Sequence, residues 1–292
     1  MKSRRLKAHT IRQLEGSLFM APWILGFLIF AAYPIVFSFV MSLFHVELRA
    51  GGLDMVWFGL ENYHRILFEN QNLLYNDLFP FLRKSLIMIP IIIVFSLMVS
   101  ILLNQKFFGR TFFRSVFFIP VILSSGSVIQ QLTFQGQGTL GFLEQLNITV
   151  VVDNYLPSSW STPIISILES FVLVLWYSGV EILIFLAGRQ TISASIYEAA
   201  RIDGASPWES FWKITLPAMI PFILLNIIYC LVDLFTYPDN PLISRILTNQ
   251  YDGYGINSAI IWIYFFIILM FLAVIFAVFS MVTRRYQPSV NK

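Results

Sequence analysis

Charge is missing from this 292-residue chain over stretches as long as a bilayer is thick. Gly16 to Val46, Ser85 to Gln105, Ser115 to Leu143, Ile214 to Val232 and Gly253 to Thr283 contain no Asp, Glu, Lys or Arg. A further run from about Thr162 to Gly188 is broken only by Glu169 and Glu181. A helix needs about 20 mostly apolar residues to cross a hydrocarbon layer of about 30 Å. These runs therefore predict six spans, at 17–44, 85–104, 115–133, 162–187, 214–237 and 257–282. Composition agrees, because only 12% of residues are charged and 57% are hydrophobic. A soluble domain carries roughly 25% charged residues, so a water-facing globule and a disordered chain are both excluded. The expected class is an all-α polytopic membrane protein with six transmembrane helices.

The first span follows Lys2, Arg4, Arg5, Lys7 and Arg12, which raises a cleaved signal peptide as a rival. Its apolar run is too long for a signal core, and no small-residue cleavage site follows it, so a retained helix is expected. With the N-terminus inside, the inner segments hold fourteen Lys and Arg and the outer segments five. That bias places both termini in the cytoplasm. A net charge of +3 gives no reason to expect nucleic acid. The lone Cys230 can form no internal disulfide, and a Cys-ligated metal site is not expected. His9, His45 and His64 show no ligand spacing, so the expectation is no bound metal.

The segments follow from the spans: a tail at 1–16, the first helix at 17–44, an outer segment at 45–84, a five-helix core at 85–285 and a tail at 286–292. The outer segment carries Trp57-Phe58-Gly59-Leu60-Glu61-Asn62-Tyr63, aromatic enough for the headgroup layer. A short interfacial helix is expected from about Leu60 to Glu69. No G-x-x-x-x-G-K-[ST] phosphate loop occurs, so the chain has no catalytic residues for hydrolysing ATP.

Polar groups inside spans are costly and mark candidate pathways. In the fifth span Asn226, Tyr229, Cys230 and Asp233 recur at i, i+3, i+4 and i+7, on one helix face. In the fourth, Glu169, Trp176 and Tyr177 share a face. In the third, Ser124, Ser125, Ser127, Gln130 and Gln131 make the outer half polar. Aromatics beside acids and amides suit a sugar, with stacking for its C–H faces and hydrogen bonds for its hydroxyls. Packing between helices through the same polar groups is the competing reading. The candidate pathway residues are Gln130, Glu169, Trp176, Tyr177, Asn226, Tyr229 and Asp233. Glu181 lies nearer the cytoplasmic end, where Arg189 offers a partner.

The inner loop at 189–216 is longer than a connection needs. Gly204 sits where a left-handed residue would close one short helix. Ser206, Pro207 and Glu209 form the start of a second, with a capping box. Pro217 fits a break or the opening of the fifth span. Trp208, Phe211 and Trp212 can anchor this second helix at the membrane surface. The competing reading is an amphipathic pair lying on lipid.

Within this loop Glu198-Ala199-Ala200, Gly204, Ile214 and Leu216-Pro217 resemble the complete EAA loop of ABC-importer permeases. Ile202-Asp203-Gly204-Ala205 and the upstream Leu186-Ala187-Gly188 narrow the resemblance to carbohydrate permeases of the maltose-transporter kind. Gly59-Leu60-Glu61-Asn62-Tyr63 is similar to a segment of the first of that family's two permease subunits. The resemblance spans roughly residues 17–285 and implies the membrane domain of a type I importer. It makes the loop a cytoplasmic coupling helix seated on a separate ATPase subunit, with Glu198, Ala199, Ala200, Asp203, Gly204 and Ala205 as the coupling residues. It further implies a second homologous permease, two ATPase subunits carrying ATP and Mg, an extracytoplasmic solute-binding protein, and a bacterial inner membrane as the setting. No cofactor is expected on this chain itself, and the cargo is a carbohydrate. Two features stand apart from the family pattern. Many members have an apolar residue where Arg189 stands, and a Gly-Gly-Pro stretch where this chain has Tyr237 to Leu242.

Two other classes are compatible with a polytopic chain. An ion-coupled secondary transporter would show inverted repeats with discontinuous helices, and neither is visible. A membrane anchor recruiting a cytoplasmic partner would need no polar stripe in its spans.

Overall fold

The structure is a computed structural model. It describes residues 8–49, 52–69, 73–105, 107–123, 152, 154–155, 157–236, 240, 242–243, 246 and 253–286. Five helical stretches among these residues are long and apolar enough to cross a membrane: Gly16–Ser42, Asn76–Asn104, Ser170–Gln190, Pro207–Thr236 and Tyr254–Met281. They overlap five of the six predicted spans. Of the remaining one, 115–133, a helix is described only as far as Leu123, and its later part lies outside the described residues.

The chain divides into two compact units, 1–71 with 249–266 and 72–248 with 267–292. In the first, α1 (Ala8–Phe27) continues through a π turn at Leu28–Ala32 into α2 (Tyr33–Ser42). Leu18, Phe19, Trp23 and Phe30 on this span are largely exposed, as expected where lipid or another chain supplies the cover. The outer segment is not all helical. Phe44–Arg49 (β1) and Gly52–Trp57 (β2) pair as an antiparallel hairpin, with Phe44 opposite Trp57 and their rings 5.0 Å apart. The hairpin stands beside the short helix expected in that segment, and alternation explains it: Phe44, Val46 and Leu48 interleave with His45, Glu47 and Arg49. The short helix expected near Leu60 is present as α3 (Glu61–His64), extended by a π turn at Arg65–Glu69.

The Gly59-to-Tyr63 segment now has a structural reason. Gly59 adopts a φ of +60°. The buried Asn62 donates from Nδ2 to the carbonyls of Ser42 (2.9 Å) and Phe44 (3.0 Å). Tyr63 shares a 2.7 Å hydrogen bond with Ser42. Together they fasten the end of α2 to the start of α3.

In the second unit, α4 (Phe79–Asn104), α5 (Arg110–Leu123), α6 (Ser158–Gln190) and α9 (Leu216–Thr236) pack on one another. Leu103, Ile182 and Leu186 form a buried cluster between α4 and α6. Between α6 and α9 lie α7 (Ala194–Ile202) and α8 (Pro207–Ser210), and α8 runs through a π turn at Phe211–Thr215 straight into α9. The second short helix is thus the leading end of the fifth span rather than a separate piece. The last helix, α10, covers Tyr254–Tyr286.

Candidate functional site

Local backbone chemistry builds the loop between α6 and α9. Ser193 opens α7, its Oγ accepting from the Ser195 N–H at 3.3 Å. The helix closes on Gly204, whose φ is +80°. Ala205 N–H donates to the Ala200 carbonyl at 2.9 Å and Gly204 N–H to the Arg201 carbonyl at 3.1 Å, the paired bonds of a Schellman closure. Ser206 then caps α8: its Oγ accepts from Glu209 N–H at 3.2 Å, while the Glu209 carboxylate accepts from Ser206 N–H at 3.0 Å. Helix, turn and helix are each closed by specific bonds, so this is a stiff element.

All six predicted coupling residues fall on this turn. Glu198, Ala199, Asp203 and Gly204 are exposed, and Ala200 and Ala205 are half-covered. Beside them, Ile202 is 86% exposed and Trp208 69%, with Ile196 and Trp212 also turned outward. Ile202 belongs to the Ile202-Asp203-Gly204-Ala205 stretch that carries the resemblance, whereas Ile196 has no such signal in the sequence.

The inner side of the loop is tied down. The Arg189 guanidinium, from the end of α6, lies 4.4 Å from the ring centroid of Tyr197. It donates to the Tyr197 hydroxyl and, at 3.5 Å, to Thr215 Oγ1. Tyr197 and Thr215 are themselves 2.9 Å apart, and Thr215 is buried. One side chain from α6, one from α7 and one from the start of the fifth span thus share a single node. Arg189 therefore does not partner Glu181. The two residues are eight positions apart on α6, about 12 Å along its axis, and Arg189 leans toward α7.

Deeper in the spans, Glu181 of α6 is fully buried, and neither carboxylate oxygen has a hydrogen-bond partner. From α9, Tyr229, Cys230 and Asp233 lie near enough to interact with it electrostatically. Asn226, also fully buried, has both amide atoms unpartnered, and the Trp176 Nε1 is buried without an acceptor. Tyr177 is buried, Asp233 is partly covered and Tyr229 is 37% exposed. The structure thus brings Tyr229 and Asp233 together with Glu181, which the pathway set omitted. Gln130 and the side chain of Glu169 lie outside the described residues, as do Ser124, Ser125, Ser127 and Gln131.

The outer segment holds one grouping of ligand-type atoms among the described residues. Glu61, His64 and Glu69 place theirs within 4.8 Å of one another, although the sequence gave His64 no recognisable ligand spacing. Arg65 pairs with Glu61 at 3.6 Å and His64 with Glu69 at 3.7 Å, so each carboxylate already has a neighbour of complementary character.

No family model matches the chain. Among curated proteins it is similar to the probable ABC transporter permease protein YesP of Bacillus subtilis, 28% identical over 250 residues, which cover 85% of this chain and 79% of that protein. It is also similar to the arabinooligosaccharides transport system permease protein AraP of Bacillus subtilis. There the identity is 32% over 209 residues, 70% of this chain and 63% of the relative. Among solved structures, a chain of a bacterial ABC transporter involved in the import of the acidic polysaccharide alginate superposes with a TM-score of 0.61. The match covers 96% of this chain and all of that one at 18% identity. A crystal structure of the bacterial alginate ABC transporter in complex with an alginate pentasaccharide-bound periplasmic protein gives 0.58, over 97% and 98% of the two chains at 18% identity.

Proposed function

The chain belongs to the sugar permeases of ABC transporters, and from that premise we propose that it is one of two membrane-spanning subunits of a bacterial carbohydrate importer. Its partners are a second permease of the same fold, two ATPase subunits that bind ATP and Mg, and an extracytoplasmic binding protein that delivers the sugar. Both termini and the 189–216 loop face the cytoplasm, in keeping with the excess of Lys and Arg on that side. ATP binding draws the ATPase subunits together, α7 and α8 pass that movement to α6 and α9, and the pathway opens outward. Hydrolysis returns it inward. This is alternating access between two states whose balance the nucleotide shifts.

The observation that carries this reading is the two-sided construction of the loop. Outward it offers Glu198, Ala199, Ile202, Asp203 and Gly204 to another molecule; inward it is fixed by Arg189, Tyr197 and Thr215 to two spans. A flexible connection would absorb a partner's motion, whereas a capped helix fixed at its base transmits it.

The pathway follows from the polar groups of α6 and α9. Buried polar atoms without partners are rare because each costs the solvation it has lost. Glu181, Asn226 and the Trp176 indole N–H leave five such atoms near the middle of the spans. Sugar hydroxyls supply both donors and acceptors for such atoms, and Tyr177 and Tyr229 supply ring faces. Gln130, Glu169 and Asp233 belong to the same route. An oligosaccharide is the preferred cargo class, after the arabinooligosaccharide relative.

The test is reconstitution. The chain, expressed with a candidate second permease and ATPase subunit, should copurify with the ATPase subunit and take up labelled oligosaccharide into proteoliposomes only with ATP and binding protein present. Uptake that persists after the ATPase subunit is removed would sink the proposal.

A further inference from the structure

Behind α7 is a cavity of about 490 Å³. Its polar wall comes from four elements: Gln105 just beyond α4, Arg189 of α6, Tyr197 and Arg201 of α7, and Ser210 and Thr215 around the π turn. No acidic residue lines it. Neither guanidinium has a carboxylate partner among the described residues. Arg189 spends its contacts on neutral groups, the hydroxyls of Tyr197 and Thr215 and the Tyr197 ring. Its Nε–H is buried without an acceptor. Arg201 reaches only the Tyr197 carbonyl, at 3.4 Å.

The half-buried Arg189 guanidinium has lost hydration that an anion would replace, and Arg201 puts a second cation on the same cavity wall. A guanidinium presents a planar fork of N–H donors that matches the oxygens of a phosphate group two at a time. The Tyr197 and Thr215 hydroxyls lie beside the Arg189 fork, and Ser210 and Gln105 line the same cavity. The volume exceeds that of a bare phosphate ion and falls in the range typical of small-molecule sites.

We infer that this cavity binds a phosphate-bearing anion between Arg189 and Arg201, and that the occupant pins α7 against the ends of α4 and α6. The phosphate group belongs either to a soluble phosphorylated metabolite or to an anionic lipid headgroup. Access from the cytoplasm rests on the orientation proposed above. Because α7 is the proposed lever, occupancy restrains it, and the site lets the level of a cytoplasmic anion or the lipid composition set the importer's rate.

The experiment uses the intact transporter without ATP in nanodiscs. In phosphatidylcholine discs, equilibrium binding of radiolabelled inorganic phosphate and of glucose 6-phosphate is measured. In a second arm, discs containing phosphatidylglycerol are scored for a rise in the thermal denaturation midpoint with no soluble phosphate present. Saturable binding in the first arm, weakened roughly tenfold or more by Arg189→Gln and by Arg201→Gln, supports a soluble ligand. A lipid-dependent rise in the second arm alone, lost in the same variants, supports a headgroup. Binding in neither arm, or binding indifferent to both substitutions, overturns the inference. Arg201 is exposed, so Arg201→Gln keeps its fold and decides the outcome even if Arg189→Gln does not assemble. Neither readout needs sugar transport, so a negative result leaves the permease reading standing.

Discussion

Gly204 has no atom within 4 Å of the place a Cβ would occupy, so what it contributes is its φ of +80° and nothing steric. Any L-residue there strains the turn by about 1–2 kcal/mol, and the strain falls on the bonds that close α7. Gly204→Val should therefore leave the transporter assembled in the membrane but lower sugar uptake per ATP hydrolysed; Gly204→Asn, which tolerates the left-handed region better, should be milder. Paired uptake and ATPase assays on one proteoliposome preparation separate the two, and unchanged coupling in the Val variant would contradict the lever. This residue was legible in the sequence, as were Ser206 and Glu209, because each acts within four positions of itself. The Arg189–Tyr197–Thr215 node was not, since its members are 8 and 18 residues apart and only folding brings them together. Glu181 was misassigned for the same reason: its nearest basic residue in sequence proved to be occupied elsewhere.

At the scale of elements, three of the four π turns among the described residues stand just before a proline. Leu28–Ala32, Leu73–Leu78 and Phe211–Thr215 each end two residues before a proline, at Pro34, Pro80 and Pro217. Proline lacks an N–H, and its ring crowds the carbonyl one turn back; a widened turn upstream relieves that crowding without breaking the span. Pro217, which the sequence fits to a break or to the opening of the fifth span, therefore marks a local loosening inside one continuous helix. The α8 end is held mainly by its cap. Ser206→Ala should cost about 1 kcal/mol and speed hydrogen exchange of the Glu209 amide roughly fivefold, while protection in the middle of α9 stays put. Equal loosening along the whole span would show that the cap is not what fixes the loop. The hairpin was readable from its alternation, yet a segment flanked by long apolar helices drew attention to membrane periodicities instead. Its anchor, Asn62, could not be read that way, because its partners are the carbonyls of Ser42 and Phe44, 20 and 18 residues upstream.

For the chain as a whole, hydropathy sufficed to find the membrane class, since the lipid requirement is written in absolute length and charge. Partners and cargo are another matter. They would act through surfaces completed by other molecules, and the loop's local motif is what points to one proposed partner. Within the second unit α6 and α9 come into tight contact at Gly188, where an added Cβ would stand 2.5 Å from the ring of Phe222. Gly188→Ala should destabilise the assembled transporter by about 1–3 kcal/mol through overpacking, seen as a lower thermal midpoint. Adding Phe222→Leu should restore much of the loss; no recovery in the double variant would mean that this contact is not the cause. Such an intimate crossing, just inside the node, behaves as a mitred corner. Two rods joined there inherit any tilt together, and over the roughly 31 Å of a 21-residue rod a swing of about 10° becomes a displacement of roughly 5 Å at the far end. In the proposed transport cycle, a glycine with no side chain would thus set the gearing by which a small push at one surface becomes an opening at the other.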